Sequence, residues 1–309
     1  MRATWTLPLL LVALTAPAAE TPRQPPPAAD AQRAQEALAP VLAPLQTEST
    51  APESSRRRWR APRPADVSFT LMAQQFAWQE FDAHGERLLK ESGSLFGLNA
   101  GYKEYGRRLG VNLSASVFGG RVDYDGQTQS GVPATTRTIY AGFDGHGDLL
   151  ERITPATHLT LEAFAGLGAR LWQRDLQDQG DLQGYSEAWT SGYGRAGVGA
   201  AYAVTREWQL FAQAGLRLPL TTIENVDLSK AGVGHITLHP RQQLAPFAEM
   251  GCRWKLLLLS FFYETLRFDK SDIETITGIE RAGINRLEFW QPESRADIYG
   301  LRLGFAGDF

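Results

Sequence analysis

Five histidines and a long series of alternating arginines and carboxylates are the residues of this 309-residue chain best suited to chemistry. His84 falls in a loop, His146 inside Asp144-Gly-His146-Gly-Asp148, and His158 at the start of a later apolar run. His235 and His239 lie in a long polar stretch. A hydrolase needs a nucleophile, or a water held by a base that a third group orients. No G-x-S-x-G elbow supplies one. The glycines around His146 read most simply as a short turn near the end of a strand. His235 and His239 share a face if their segment is extended, and Asp227 is a third donor within reach. Two histidines matched by spacing do not define a metal site. No catalytic residue, metal or cofactor is therefore assigned, and the chain is not read as an enzyme.

The elements that must carry these residues follow from their neighbours. From Asp66 onward apolar residues recur with period two, which is the strand signature. In one run Leu159, Leu161, Ala163, Ala165, Leu167, Ala169 and Leu171 oppose Thr160, Glu162, Phe164, Gly166, Gly168, Arg170 and Arg174. Runs of this kind fall near 67–80, 89–103, 108–122, 136–146, 157–173, 186–203, 206–221, 241–254, 256–268 and 295–309. That makes about ten strands. Eight or twelve fit as well, because the fourth alternates only briefly and LLLLSFFYE in the ninth is apolar on both faces. Each run reaches about ten residues or more, close to what a tilted strand needs to cross a bilayer. Long polar connections follow the third, fifth, seventh and ninth runs. Tight ones follow the second, sixth and eighth, and a moderate one, GDLLERITPAT, follows the fourth. In an up-and-down meander that places nearly all long loops on one rim.

The N-terminus differs. MRATWTLPLLLVALTAPAAE has Arg2, an apolar core and small residues at a cleavage-like site, as a secretory signal peptide does. Residues 1–18 are read as that peptide and 19–65 as a disordered Pro/Ala/Arg-rich linker. Within the linker, Arg56, Arg57, Arg58 and Arg60 around Trp59 suit contact with anionic headgroups, or are simply solvated charge. Cys252 is the only cysteine, so no disulfide stabilises an exported chain. A net charge of −3 gives no argument for nucleic acid. Mean hydropathy is slightly negative, which a barrel showing every second residue to lipid shares with soluble proteins.

The last strand, YGLRLGFAGDF, carries Tyr299, Leu301, Leu303, Phe305 and Phe309 on one parity. In this the chain resembles the bacterial outer-membrane β-barrel superfamily, whose members commonly close on an alternating strand with a terminal Phe. The resemblance covers about 66–309. It implies an antiparallel up-and-down transmembrane barrel, with long loops outside the cell and both termini in the periplasm. It also implies that those five residues form an assembly signal read by the barrel-insertion machinery. Gly307 departs from the pattern, where many members carry a larger residue. A soluble periplasmic barrel or sandwich, with its apolar parity turned inward, has the same periodicity.

On the barrel reading, one parity places Glu80, Glu91, Glu162, Arg170, Arg195, Arg217, Glu249, Arg253, Glu264 and Arg302 in the lumen, with Lys103 and Asp144. Charges at bilayer depth persist only when paired or wetted, and a barrel of about ten strands is narrow. A charge network filling the lumen is expected, with Glu162, Glu249 and Glu264 as partners of the arginines. Lumen glycines such as Gly166, Gly168, Gly197, Gly199 and Gly251 either make room for large neighbours or leave space for water. The function expected is structural or surface interaction, through long loops that meet lipopolysaccharide or an external partner. The alternative is a porin-like channel for small solutes, and an outer-membrane hydrolase is third.

Overall fold

A computed structural model describes residues 65–309 apart from 107, 128–132, 181–182, 280–283 and 309. The signal peptide, nearly all of the linker with its arginines, and Phe309 lie outside the described residues. Ten antiparallel strands form the wall: β1 (Asp66–Phe81), β2 (Arg87–Tyr105), β3 (Leu109–Gln127), β4 (Pro133–Ala156), β5 (Leu159–Leu176), β6 (Ser186–Ala203), β7 (Trp208–Asp227), β10 (Ala245–Trp254), β11 (Leu257–Asp269) and β14 (Glu293–Asp308). Each pairs with its sequence neighbours in the wall, and β14 returns to β1 with Leu71 opposite Leu303. The sheet is therefore closed. Closure leaves no unpaired strand edge, which a bilayer interior cannot hydrate.

The short strands belong to the loops. β8 (His235–Leu238) extends the end of β7, and β9 (Arg241–Gln242) the end of β11. β12 (Glu274–Ile279) and β13 (Ile284–Phe289) pair only with each other. These loops are packed: Val226, Leu228, Ile236, Leu238 and Phe289 form a buried apolar cluster of their own, with Tyr185 and Leu287 against it.

Periodicity left open which parity faces out, and the structure decides it. Large apolar side chains project from the outer wall, with Phe69 64%, Leu167 66% and Phe305 63% exposed. Tyr299, Leu301 and Leu303 do the same. Inward neighbours such as Arg170, Arg217 and Glu264 are buried. A water-soluble barrel would invert this pattern, so the wall is built for lipid. The apolar belt covers only part of each strand. Toward the long-loop rim the outward residues become Gln75, Gln79, Lys90, Ser92, Arg137 and Gln173. The strands are also longer, at 16 residues in β1 and 24 in β4, than the ~9–11 a bilayer requires.

β4 corrects two expectations. Its periodicity predicts a strand over 136–146 with a moderate connection after it, and a turn at Asp144-Gly-His146-Gly-Asp148. The strand instead runs on to Ala156, with Glu151 opposite Leu109 and Ile153 opposite Leu161, and the turn is only Thr157-His158. Alternation is hidden because Gly145 and Gly147 occupy two outward positions. Neighbours lean over them: a Cβ at Gly145 would meet the Phe143 ring at 2.8 Å, and one at Gly147 the Leu113 side chain at 3.1 Å. An apolar surface is thus supplied by residues whose sequence positions lie elsewhere.

Candidate functional site

The inward parity builds a lumen in two tiers. The tier nearer the long loops is dry. Trp172 and Trp189 stack with centroids 5.2 Å apart, Trp78 meets Trp189 edge-on at 5.5 Å, and Phe268 packs on Trp189 at 5.2 Å. Phe76, Leu89, Leu95, Val122, Tyr140 and Leu266 complete a core like that of a soluble protein. It lies where the outer wall has turned polar.

Arg174 is embedded in this core. Its Nη1 donates to both oxygens of Glu187 at 2.8 Å and to Glu80 at 3.3 Å, while Nε and Nη2 donate to Glu91 at 3.0–3.1 Å. The carboxylates have further donors. Trp78 Nε1 reaches Glu80 at 3.0 Å, Trp189 Nε1 reaches Glu187 at 3.0 Å, and Thr138 and Tyr140 hydroxyls donate to Glu91. Taking such charges out of water costs several kcal/mol per ion, which only geometry this complete offsets. Glu224 stands beside them fully buried, and neither of its oxygens has a hydrogen-bond partner.

The second tier lies at the depth of the apolar belt. Glu264 accepts from Arg170 Nη2 and, at 2.7 Å, from Arg217 Nη2. Asp144 sits 2.9 Å from Arg170 Nε and 3.5 Å from Arg217 Nη2, and accepts from the Tyr193 hydroxyl at 2.8 Å. Asp148 accepts from Asn112 at 2.9 Å and lies 3.4 Å from Arg195 Nε. His146 lies between the two aspartates, 3.9 Å from Asp144 and 3.8 Å from Asp148, beyond hydrogen-bond length. Towards the short-turn rim, Arg302 Nη1 pairs with Glu249 at 2.9 Å, and Gln213 and Ser260 also donate to Glu249. Lys103 Nζ is 2.6 Å from Glu162, which also accepts from the Tyr105 hydroxyl. Arg253 donates to Asp66 at 3.0 Å.

A cavity of about 580 Å³ occupies this tier. Its lining runs from Asp66, Gln209 and Arg253 at the short-turn rim to Arg170, Arg217 and Glu264, and includes no member of the Arg174 cluster. Both readings of the glycines apply. A Cβ at Gly168 would meet the Tyr193 ring at 2.5 Å and one at Gly197 the Phe164 ring at 2.5 Å, so these glycines seat aromatic rings. At Gly199 the nearest atom is 3.5 Å away, which leaves room.

All ten sequence-named lumen residues thus point inward, but they group differently from expectation. Glu264 serves two arginines and Glu249 serves Arg302, whereas Glu162 turns to Lys103. Arg195 and Arg253 are matched by aspartates, and Arg253 lies at the rim rather than at middle depth. Arg174, Glu187, Asp148 and the three tryptophans share the inward parity but stand outside those ten. Glu224 was not readable. A bulge at Leu220, opposite the Gly192/Tyr193 irregularity, changes the parity of β7, so Arg217 and Glu224 both face inward at odd-to-even positions.

The loop histidines stand apart. His235 Nδ1 is 3.7 Å from Asp227 on paired strands, and both are exposed, as is His239. The Ser229 hydroxyl and N–H hold the Asp227 carboxyl below its usual range, with His235 and Lys230 adding to the effect. Among the described residues no group of three or more His, Cys, Asp or Glu is arranged to hold a metal.

No protein-family model and no curated protein matches the chain. Solved structures do. The outer membrane protease OmpT from Escherichia coli is similar over 81% of this chain and 98% of its own, with a TM-score of 0.51 and 8% identity. OprG, an outer membrane protein from Pseudomonas aeruginosa, gives 80%, 96%, 0.36 and 11%, in the same order. The toluene transporter TbuX from Ralstonia pickettii gives 80%, 90%, 0.37 and 9%. At 8% identity the likeness to OmpT establishes the fold alone and carries no activity across. With its closed ten-strand sheet and apolar outer wall, the chain has the fold of the outer-membrane β-barrels.

Proposed function

We propose that this barrel is closed to free diffusion and acts at the cell surface through its long, packed loops, in a structural or partner-binding role. One observation carries the reading: the Trp78–Trp172–Trp189–Phe268 core with Arg174 and its carboxylates lies across the lumen where a pore would have to run. In this reading the long loops lie outside the cell, facing lipopolysaccharide or an external partner, and both termini are periplasmic. Arg56, Arg57, Arg58 and Arg60 then meet anionic headgroups on the periplasmic side. The full chain in planar bilayers should show no steady conductance; open-pore conductance in the wild type would sink the closed reading.

The last strand is proposed as the assembly signal, through Tyr299, Leu301, Leu303, Phe305 and Phe309. The outward exposure of the first four supports it. Deleting Phe309 should sharply lower the amount of heat-modifiable, assembled barrel in outer membranes while export continues. Wild-type assembly of the truncated chain would remove that role. A small-solute channel remains the second reading, favoured by the cavity in the other tier.

A further inference from the structure

Arg195 differs from Arg170, Arg174 and Arg217, the other arginines buried in the lumen. Its side chain is 5% exposed, yet its guanidinium makes no hydrogen bond to any described residue. Its one charge partner, Asp148, turns Oδ1 to Nε at 3.4 Å without a hydrogen bond, while Oδ2 accepts from Asn112. What holds it is aromatic. The guanidinium carbon lies 4.6 Å from the Phe247 ring centre and 5.1 Å from that of Phe164. Those rings are seated on glycines: a Cβ at Gly197 would strike Phe164 at 2.5 Å, and one at Gly215 would strike Phe247 at 2.7 Å. Aromatic faces attract and orient a guanidinium without using any of its N–H groups. The fork is therefore positioned and unspent.

Its neighbours are similar in part. Arg217 is directly opposite Arg195 across the β6–β7 ladder, and Arg170 shares Glu264 and Asp144 with Arg217. Both pair through other atoms, which leaves Arg170 Nη1 and Arg217 Nη1 buried without an acceptor. A buried donor lacking a partner is destabilising, and more so when it carries charge. All three arginines line the same 580 Å³ cavity, a volume within the ~300–1,000 Å³ of small-molecule sites. The nearby carboxylates are largely engaged, Glu264 through both oxygens and Asp144 by Arg170 and Tyr193.

We propose that this chamber binds a small solute carrying a phosphate- or carboxylate-type oxyanion, with Arg195 as the anchoring fork and Arg170 and Arg217 supplying positive charge beside it. Guanidinium groups are donors only and match such oxyanions two bonds at a time. The solute enters from the short-turn rim, because the aromatic core closes the other end. It is a free solute and not a lipid headgroup, since the barrel wall separates the chamber from the bilayer. The proposal stands whether or not the barrel conducts.

Calorimetric titration of the full chain in detergent at low salt tests it, with inorganic phosphate and glucose 6-phosphate as probes and glucose as the uncharged control. Both phosphates should bind saturably and glucose should not. Arg195→Gln should weaken binding at least tenfold, while Arg267→Gln on the outer wall leaves it unchanged. Where Arg195→Gln fails to assemble, a bulky maleimide on Ala201→Cys, in the chamber wall of a Cys252→Ser background, should abolish binding that the unlabelled form retains. The proposal is overturned by a wild type without saturable phosphate binding, by equal binding of glucose, or by binding indifferent to both Arg195→Gln and the label. Binding seen only with phosphatidylglycerol vesicles, and not competed by free phosphate, would place the anion site on the outer wall and overturn it too.

Discussion

Arg174 and Arg302 point into the same lumen and are both held by glutamates, yet the Arg174 side chain is 1% exposed and that of Arg302 20%. Around Arg174 each carboxylate that it touches has a further donor from Trp, Tyr or Thr, and tryptophan rings exclude water. Around Arg302 the partner Glu249 is helped by Gln213 and Ser260, and a cavity adjoins both. Charge in one tier is a fixed part of a core, and in the other it lines a space. The same inward parity thus produces a plug where tryptophan rings pack on one another around the charges, and a chamber where no tryptophan lines the space.

That difference should appear as unequal costs. Arg174→Ala leaves Glu80, Glu91 and Glu187 buried without their counter-charge, and breaking such an assembly costs about 3–5 kcal/mol. Equilibrium unfolding in detergent, or the temperature at which the band shifts on denaturing gels, should show the largest loss of any single lumen variant. A loss no larger than that of Arg302→Ala would remove the distinction between tiers. Val226→Asp, in the apolar cluster of the loops, buries a carboxyl that takes up a proton or forces the cluster open, and should cost about 1–3 kcal/mol. Its effect should be confined to the loop rim and read as faster proteolytic nicking there, with the heat-shift temperature of the wall nearly unchanged. A joint fall of both would mean that cap and plug form one unit. Arg302→Ala should do least, about 1 kcal/mol or less, because water replaces the guanidinium beside a partly exposed Glu249. A larger loss would show that this tier is drier than its cavity suggests.

Much of the wall was legible. Nine of the ten runs fall close to the observed wall strands, because a half-lipid, half-lumen strand must alternate and alternation survives in composition. β4 was legible only in part, since Gly145 and Gly147 stand where the pattern asks for apolar groups and their cover comes from Phe143 and Leu113. The inward placement of Arg170, Arg217, Glu264 and Arg302 followed from parity alone. Their grouping did not, because partners such as Arg170 and Glu264 are 94 positions apart and meet only across the closed barrel.

The sequence by itself determined an alternating chain with long loops on one side and a closing strand rich in outward apolar residues. Local periodicity needs only the pleat, in which successive side chains point to opposite faces. Which parity meets solvent, and which charges meet one another, depended on the curvature that closes the sheet. Only closure brings Trp78 of β1 onto Trp189 of β6, which pairs with Trp172 across the adjacent β5–β6 ladder, and Arg170 of β5 to Glu264 of β11. Those contacts cross the lumen or depend on its narrowing, and a one-dimensional pattern carries no record of distance across a cylinder.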